Sequence, residues 1–214
     1  FSKPIQQYGC VEKAKVDYKG GYGKFDMTHN FPDMGGRKLV TYFDFDPKAG
    51  SELEVKVALS GVSTAGALKN LQAEAASFSF DQLAAQAAKR WEQALSAIDA
   101  KGSDDQLAML YTSLYHTMIN PCVYMDVDGQ YRGLDHNIHQ ADGFTNYTVF
   151  SVWDTYRALH PLFNLINRQV NTDIAQSMLQ HCAQSVHHAL PIWSHMANEN
   201  WCMIGYHSVS VLAD

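Results

Sequence analysis

The sequence contains no run of about 18 consecutive apolar residues, the length a helix needs to cross a membrane. Its apolar stretch Val55–Val62 is broken by Lys56 and Ser60. Basic residues are scarce: 16 Lys and Arg stand against 22 Asp and Glu. Residues 101–214 hold only four Lys or Arg with ten Asp or Glu. Nucleic acid demands a basic footprint, so this balance argues against a DNA or RNA partner. The four cysteines (Cys10, Cys122, Cys182 and Cys202) are far apart, with no CxxC pair. That excludes a zinc ribbon and a disulfide-dense scaffold. Also missing are GxSxG, HExxH and any local Cys/His catalytic spacing. Low hydrophobicity is absent as well: the chain is 46% hydrophobic and 18% charged, which excludes a disordered polymer. What remains is a chain of 214 residues, long enough to bury a core.

Periodicity divides the chain into zones. Residues 1 to about 73 read as antiparallel β-structure, with strands expected at 11–18, 38–46 and 52–59. In the last of these, Leu53, Val55, Val57 and Leu59 alternate with Glu54 and Lys56. Turn residues lie between the strands, at Gly20-Gly21, 33–36 and 47–50. Residues 79–100 change to a helical period, with Leu83, Ala87, Trp91, Leu95 and Ile98 on one face. Ser79 with Gln82, and Ser103 with Gln106, form two S-x-x-Q capping boxes. The second opens a helix that ends before Pro121. Residues 120–147 carry Asp, Gly, Asn and His without a period, and Asp128-Gly129 predicts a hairpin turn. Helices follow at 150–166, which Pro161 kinks or divides, at 171–184, and from about Trp201. Neither end carries a clear start or stop signal, which suggests a piece of a longer protein. Fold class is therefore α+β, a strand region followed by stacked helices.

Three groups of residues could carry chemistry. In 191–207, Glu199 stands between Trp193 and Trp201, near His195 and His207. A carboxylic acid desolvated by aromatic rings keeps its proton to higher pH. General-acid catalysis needs that. Tryptophan rings also suit a sugar face. Alternatively, Asn198 caps the last helix and Glu199 sits in its first turn. In 150–161, Trp153, Asp154 and Arg157 fall within one helical turn. Asp154 and Arg157 can pair, or can hold sugar hydroxyls. Ser151 with Asp154 also fits a capping box. The third group is Asp126, Asp128, Asp135, His136, His139 and Asp142. Its glycine comes too early for a calcium loop and no closing Glu follows, so a solvated loop is expected. His187-His188 reads as surface, and Lys19–Gly23 as a turn.

The stretches 147–161 (YTVFSVWDTYRALHP) and 190–214 (LPIWSHMANENWCMIGYHSVSVLAD) resemble glycoside hydrolase family 92. So do 57–71, 115–121 and 131–135, and the resemblance covers essentially the whole chain. These are bacterial exo-acting α-mannosidases, many acting on α-1,2-linked mannose of N-glycans. The resemblance implies an N-terminal β-sandwich, a linking helix and an (α/α)6 toroid. On it, residues 1–75 are the last sandwich strands, 76–102 the linker helix and 103–214 the first toroid helices. It implies inversion, dependence on Ca2+ and a mannose-containing glycan as partner. Glu199 matches the general acid, while Trp153, Asp154, Arg157, His195 and Trp201 are assigned to sugar binding. The base and most calcium ligands fall outside these residues, so no metal ligand is assigned here and the chain alone is expected to be inactive. Periplasm, cell surface or secretion would follow. Two other classes are open: a phosphorylase or glucan hydrolase with the same toroid, and a glycan-binding module without turnover.

Overall fold

The computed structural model describes residues 1–12, 39–46, 48, 50–76 and 79–214. Most of the strand expected at 11–18, and the turns at 19–23 and 33–36, lie outside the described residues. The fold is mixed α and β, as expected, and it divides into two compact units, Phe1–Lys56 and Val57–Asp214.

In the first unit β1 (Ile5–Glu12) pairs antiparallel with β2 (Leu39–Phe45). β2 is the strand that its β-branched and aromatic run predicts. The alternation at 52–59 does not form a strand. Among the described residues no neighbouring strand offers this segment a ladder, and Val57 and Leu59 are 78% and 83% exposed. Alternation alone does not make a strand without a partner to hydrogen-bond it.

The second unit opens with α1 (Thr64–Glu74), inside the zone expected to be β. Ser63 caps it, its hydroxyl accepting the Gly66 N–H at 3.0 Å. Ala, Leu, Lys, Gln and Glu, all good helix formers, fill the turns that follow. α2 (Phe80–Leu95) and α3 (Asp104–Thr117) start where predicted, and both capping boxes are complete in each direction. Trp91 of α2 packs on Tyr115 of α3, with ring centroids 4.5 Å apart.

The segment after α3 folds into two small ladders. β3 (Cys122–Val123) pairs with β6 (Tyr147–Thr148), and β4 (Gln130–Arg132) pairs with β5 (Ile138–Gln140). The predicted turn at Asp128-Gly129 is present, with the Gly129 N–H bonded to the Asp126 carbonyl and Gly129 at φ +81°. Asp126 is buried and accepts from the Ser60 hydroxyl at 2.7 Å and the Asn70 amide at 2.8 Å. It therefore pins α1 to this loop.

The helix expected at 150–166 is two helices, α4 (Val152–Thr155) and α5 (Leu159–Ile166). Pro161 falls in the first turn of α5, where its missing N–H costs nothing. A continuous helix would drive its ring against the Arg157 carbonyl, so the chain breaks at 156–158. α6 (Arg168–Gln184) then places Ile174 and Met178 against Phe150, Val152, Phe163 and Val211. β7 (Ser194–His195) and β8 (Asn198–Glu199) form a hairpin, and α7 (Ser208–Ala213) follows. The last helix thus begins seven residues later than expected. Asn198 does not cap it, because Asn198 is in β8.

Candidate active site

Glu199 is the last residue of a tight hairpin. Its two turn residues, Met196 and Ala197, have φ of +44° and +64°. A type I′ turn requires positive φ at both positions. Neither residue favours that region, so outside contacts must hold it. One is the Thr148 hydroxyl oxygen, which accepts the Met196 N–H at 2.8 Å.

Main-chain N–H groups fix the Glu199 carboxylate. Oε1 accepts from Trp193 at 2.9 Å and from Trp201 at 3.1 Å, and Oε2 accepts from Ile192 at 3.0 Å. The indoles that flank Glu199 in sequence have other ring partners: Trp193 tilts over His195 at 6.3 Å, and Trp201 meets His187 edge-on at 5.1 Å. The hairpin register pairs Ser194 with Glu199 and His195 with Asn198. Side chains alternate along a strand, so His195 lies on the opposite face from Glu199. His195 Nε2 is buried with no hydrogen-bond partner among the described residues.

The second group is brought together around aromatic rings. The Arg157 guanidinium stands 5.2 Å from the Trp153 ring centroid and 5.0 Å from that of Tyr156. Among the described residues no ion pair joins Arg157 to Asp154. Asp154 instead accepts from the Ser151 hydroxyl at 2.6 Å, and Ser151 makes no side-chain cap to α4. Sequence reasoning overlooked His207 here. Its ring stacks on Tyr156 and meets Trp153 edge-on at 5.3 Å. No local pattern links residue 207 to residue 156.

Both groups meet at residues 190–193. Ile192 and Trp193 donate to Glu199, while the Leu190 N–H donates to the Tyr206 hydroxyl oxygen and the Pro191 carbonyl accepts from Ser208. The same short run therefore braces the carboxylate and the residues on either side of His207.

The acidic loop divides among local partners. Asp128 pairs with Lys69 at 2.8 Å, and Asp135 with His139 at 2.9 Å. Among the described residues no three His, Cys, Asp or Glu side chains come together as a metal site. An open groove of about 930 Å³, lined by Leu83, Trp91, Met118, Cys122, Phe163 and Val170 among others, includes none of the candidate site residues. Glu74, Gln86, Arg90 and Asn167 also line it. No helix of the described residues is long and apolar enough to cross a membrane.

Residues 66–214 match the sequence profile of the glycosyl hydrolase family 92 catalytic domain. A comparison with curated protein sequences gives no significant match. Among solved structures, the chain is similar to a family GH92 alpha-mannosidase from Bacteroides thetaiotaomicron, with 40% identity and a TM-score of 0.81. The same enzyme has been solved in complex with mannoimidazole, and there the TM-score is 0.79. An inverting mannosidase of the family from Bacteroides thetaiotaomicron VPI-5482 is 26% identical, with a TM-score of 0.77. The first alignment covers 99% of this chain but 28% of the relative, and the inverting enzyme is covered to 27%. Matched over most of its length by the family profile and over nearly all of it by a 40% identical member, the chain belongs to glycoside hydrolase family 92.

Proposed function

We propose that the protein containing this chain is an exo-acting α-mannosidase that hydrolyses terminal α-1,2-linked mannose with inversion, with Glu199 as its general acid. Family membership supports the reaction class, and two relatives carry the name mannosidase. The observation that carries the role of Glu199 is the fixed place of its carboxyl group at the end of the hairpin, where the main-chain N–H groups of Ile192, Trp193 and Trp201 hold it. Oε2 takes a single donor, and we assign to this oxygen the proton handed to the departing glycosidic oxygen. In an inverting enzyme a second carboxylate activates water on the opposite face of the sugar, roughly 6.5–9.5 Å away. We assign that base to a part of the protein beyond these residues.

Trp153, Asp154, Arg157, His195 and Trp201 are proposed to bind the sugar. Residues 1–75 belong on this reading to a β-sandwich, 76–102 to a linker and 103–214 to the start of an (α/α)6 toroid. Activity depends on Ca2+ held mostly by residues elsewhere in the protein. The 214 residues alone release no mannose, and the enzyme works in the periplasm, at the cell surface or outside the cell.

The test is mannose release from an α-1,2-mannobiose by the full-length protein, with Ca2+ and with EDTA. Release that EDTA abolishes supports the reading. Release that continues in EDTA removes the calcium requirement, and no release under either condition overturns the assignment. Activity only when phosphate is supplied would make the protein a phosphorylase.

A further inference from the structure

Ser194 is the cross-strand neighbour of Glu199, and it is fully buried. Its carbonyl accepts the Phe150 N–H at 2.9 Å, and its hydroxyl meets His181 Nδ1 at 3.2 Å. His181 comes from α6, is 4% exposed, and lies edge-on to Phe150 at 5.1 Å. The two residues before Ser194 supply two of the three N–H groups on Glu199. Planar peptides join these residues, so a displaced Ser194 moves those donors with it.

The position of His181 is not one that packing alone would choose. Ile174, Met178 and His181 follow at i, i+4 and i+7 on the inner face of α6. The first two are completely buried in the apolar core. An aliphatic third member would continue that stripe, whereas an imidazole has to be desolvated there. The use the structure makes of the ring nitrogen is the bond to Ser194.

We propose that His181 is a positioning residue for the general acid: through Ser194 it sets where the Ile192 and Trp193 N–H groups stand, and so where Glu199 Oε2 faces. The inference rests on the proposed acid role of Glu199. His181 touches neither the sugar nor the transferred proton. Losing its bond misplaces the acid, and misplacement harms only the step that needs protonation.

The experiment compares full-length wild type, Glu199→Gln, His181→Phe, His181→Asn, Ser194→Ala and the His181→Phe/Ser194→Ala double variant. Each is assayed on α-1,2-mannobiose, whose leaving group needs a proton, and on dinitrophenyl α-mannoside, whose leaving group does not. His181→Phe and Ser194→Ala are each expected to lower kcat on the mannobiose by about 10- to 100-fold, with KM unchanged. The activated substrate stays within about threefold of wild type. The double variant loses no more than the worse single one, and His181→Asn, which restores a polar atom near Ser194, recovers part of the rate. Equal losses on both substrates, no loss on either, or an additive double variant overturns the proposal. Should His181→Phe fail to fold, Ser194→Ala removes only one oxygen and decides the matter by the same substrate comparison. Selectivity in Glu199→Gln without selectivity in Ser194→Ala overturns this inference and leaves the acid assignment standing. No selectivity in Glu199→Gln overturns both.

Discussion

His207 lies flat on Tyr156, with ring centroids 4.1 Å apart and planes only 4° from parallel. The Arg157 guanidinium is held 5.0 Å from the centroid of the same Tyr156 ring. One tyrosine thus joins α4 to the segment that precedes α7. A stacked aromatic pair contributes about 0.5–1.5 kcal/mol beyond its buried area, and a cation–π contact about 0.5–1 kcal/mol. Tyr156→Ala, which also removes the ring's buried area, is expected to cost about 2–3 kcal/mol in urea unfolding of the full-length protein. Tyr156→Phe keeps the ring and should stay within about 0.5 kcal/mol of wild type. A large loss in the phenylalanine variant would shift the credit from the ring to the hydroxyl.

Gly205 stands two residues before His207 at φ +92°. A Cβ there would come 2.5 Å from His207 Nε2. Alanine at this position meets two penalties, one from the backbone and one from the ring it would push off Tyr156. Gly143 is the matched control, since it has φ +74° but nothing within 4 Å of a built Cβ. Gly143→Ala should show the backbone penalty alone, about 1–2 kcal/mol. Gly205→Ala should cost clearly more in the same unfolding measurement. Equal costs would mean that His207 moves aside freely.

Elements with strong local signals were legible in the sequence. Ser79 with Gln82, and Ser103 with Gln106, fix two helix starts because a capping box is a contact over three residues. The β2 run was legible from composition for the same local reason. The elements that went unread depend on distant partners. Leu53 to Leu59 alternates like a strand, but pairing needs another segment, and none is present among the described residues. α1 was hidden by extending that alternation past Ser63, its capping residue. The β7–β8 hairpin carries Met and Ala where a turn reader looks for Asn and Gly. Its positive φ values are sustained from outside, by Thr148 some fifty residues earlier. The candidate acid was found by its neighbours in sequence. The N–H cradle that holds it belongs to backbone geometry, which side-chain identities do not encode.

Burial pushes the His181 ring down from 6.5 to about 4. His160, held between Asn171 and Thr155, is also lowered by burial, against the Asn171 bond that raises it. The folded state therefore prefers both rings neutral. Below pH 6.5 the unfolded chain takes up protons that the folded one refuses, so stability falls as the pH drops towards 4. For His181 the gap corresponds to on the order of 3 kcal/mol once the pH is below about 4. Urea midpoints of the full-length protein at pH 7, 6 and 5 should decline, and His181→Phe should flatten the decline. Parallel curves for the variant and wild type would show that His181 does not control it.

Glu199→Gln separates the acid from the cradle that holds it. The amide keeps one oxygen, which belongs on the side of Trp193 and Trp201, where two N–H groups converge. Its NH2 then faces the Ile192 N–H, donor against donor. One hydrogen bond is lost, at about 1–3 kcal/mol. Proton delivery is lost entirely, and a positioned general acid contributes about 10²- to 10⁴-fold. The variant should unfold at a modestly lower urea concentration and stay folded under assay conditions. Its kcat on α-1,2-mannobiose should fall by that 10²- to 10⁴-fold, and dinitrophenyl α-mannoside should be hydrolysed at close to the wild-type rate. Loss of the folded state at assay temperature would make the carboxylate a structural anchor of the hairpin. An unchanged rate on both substrates would take the proton donor away from Glu199.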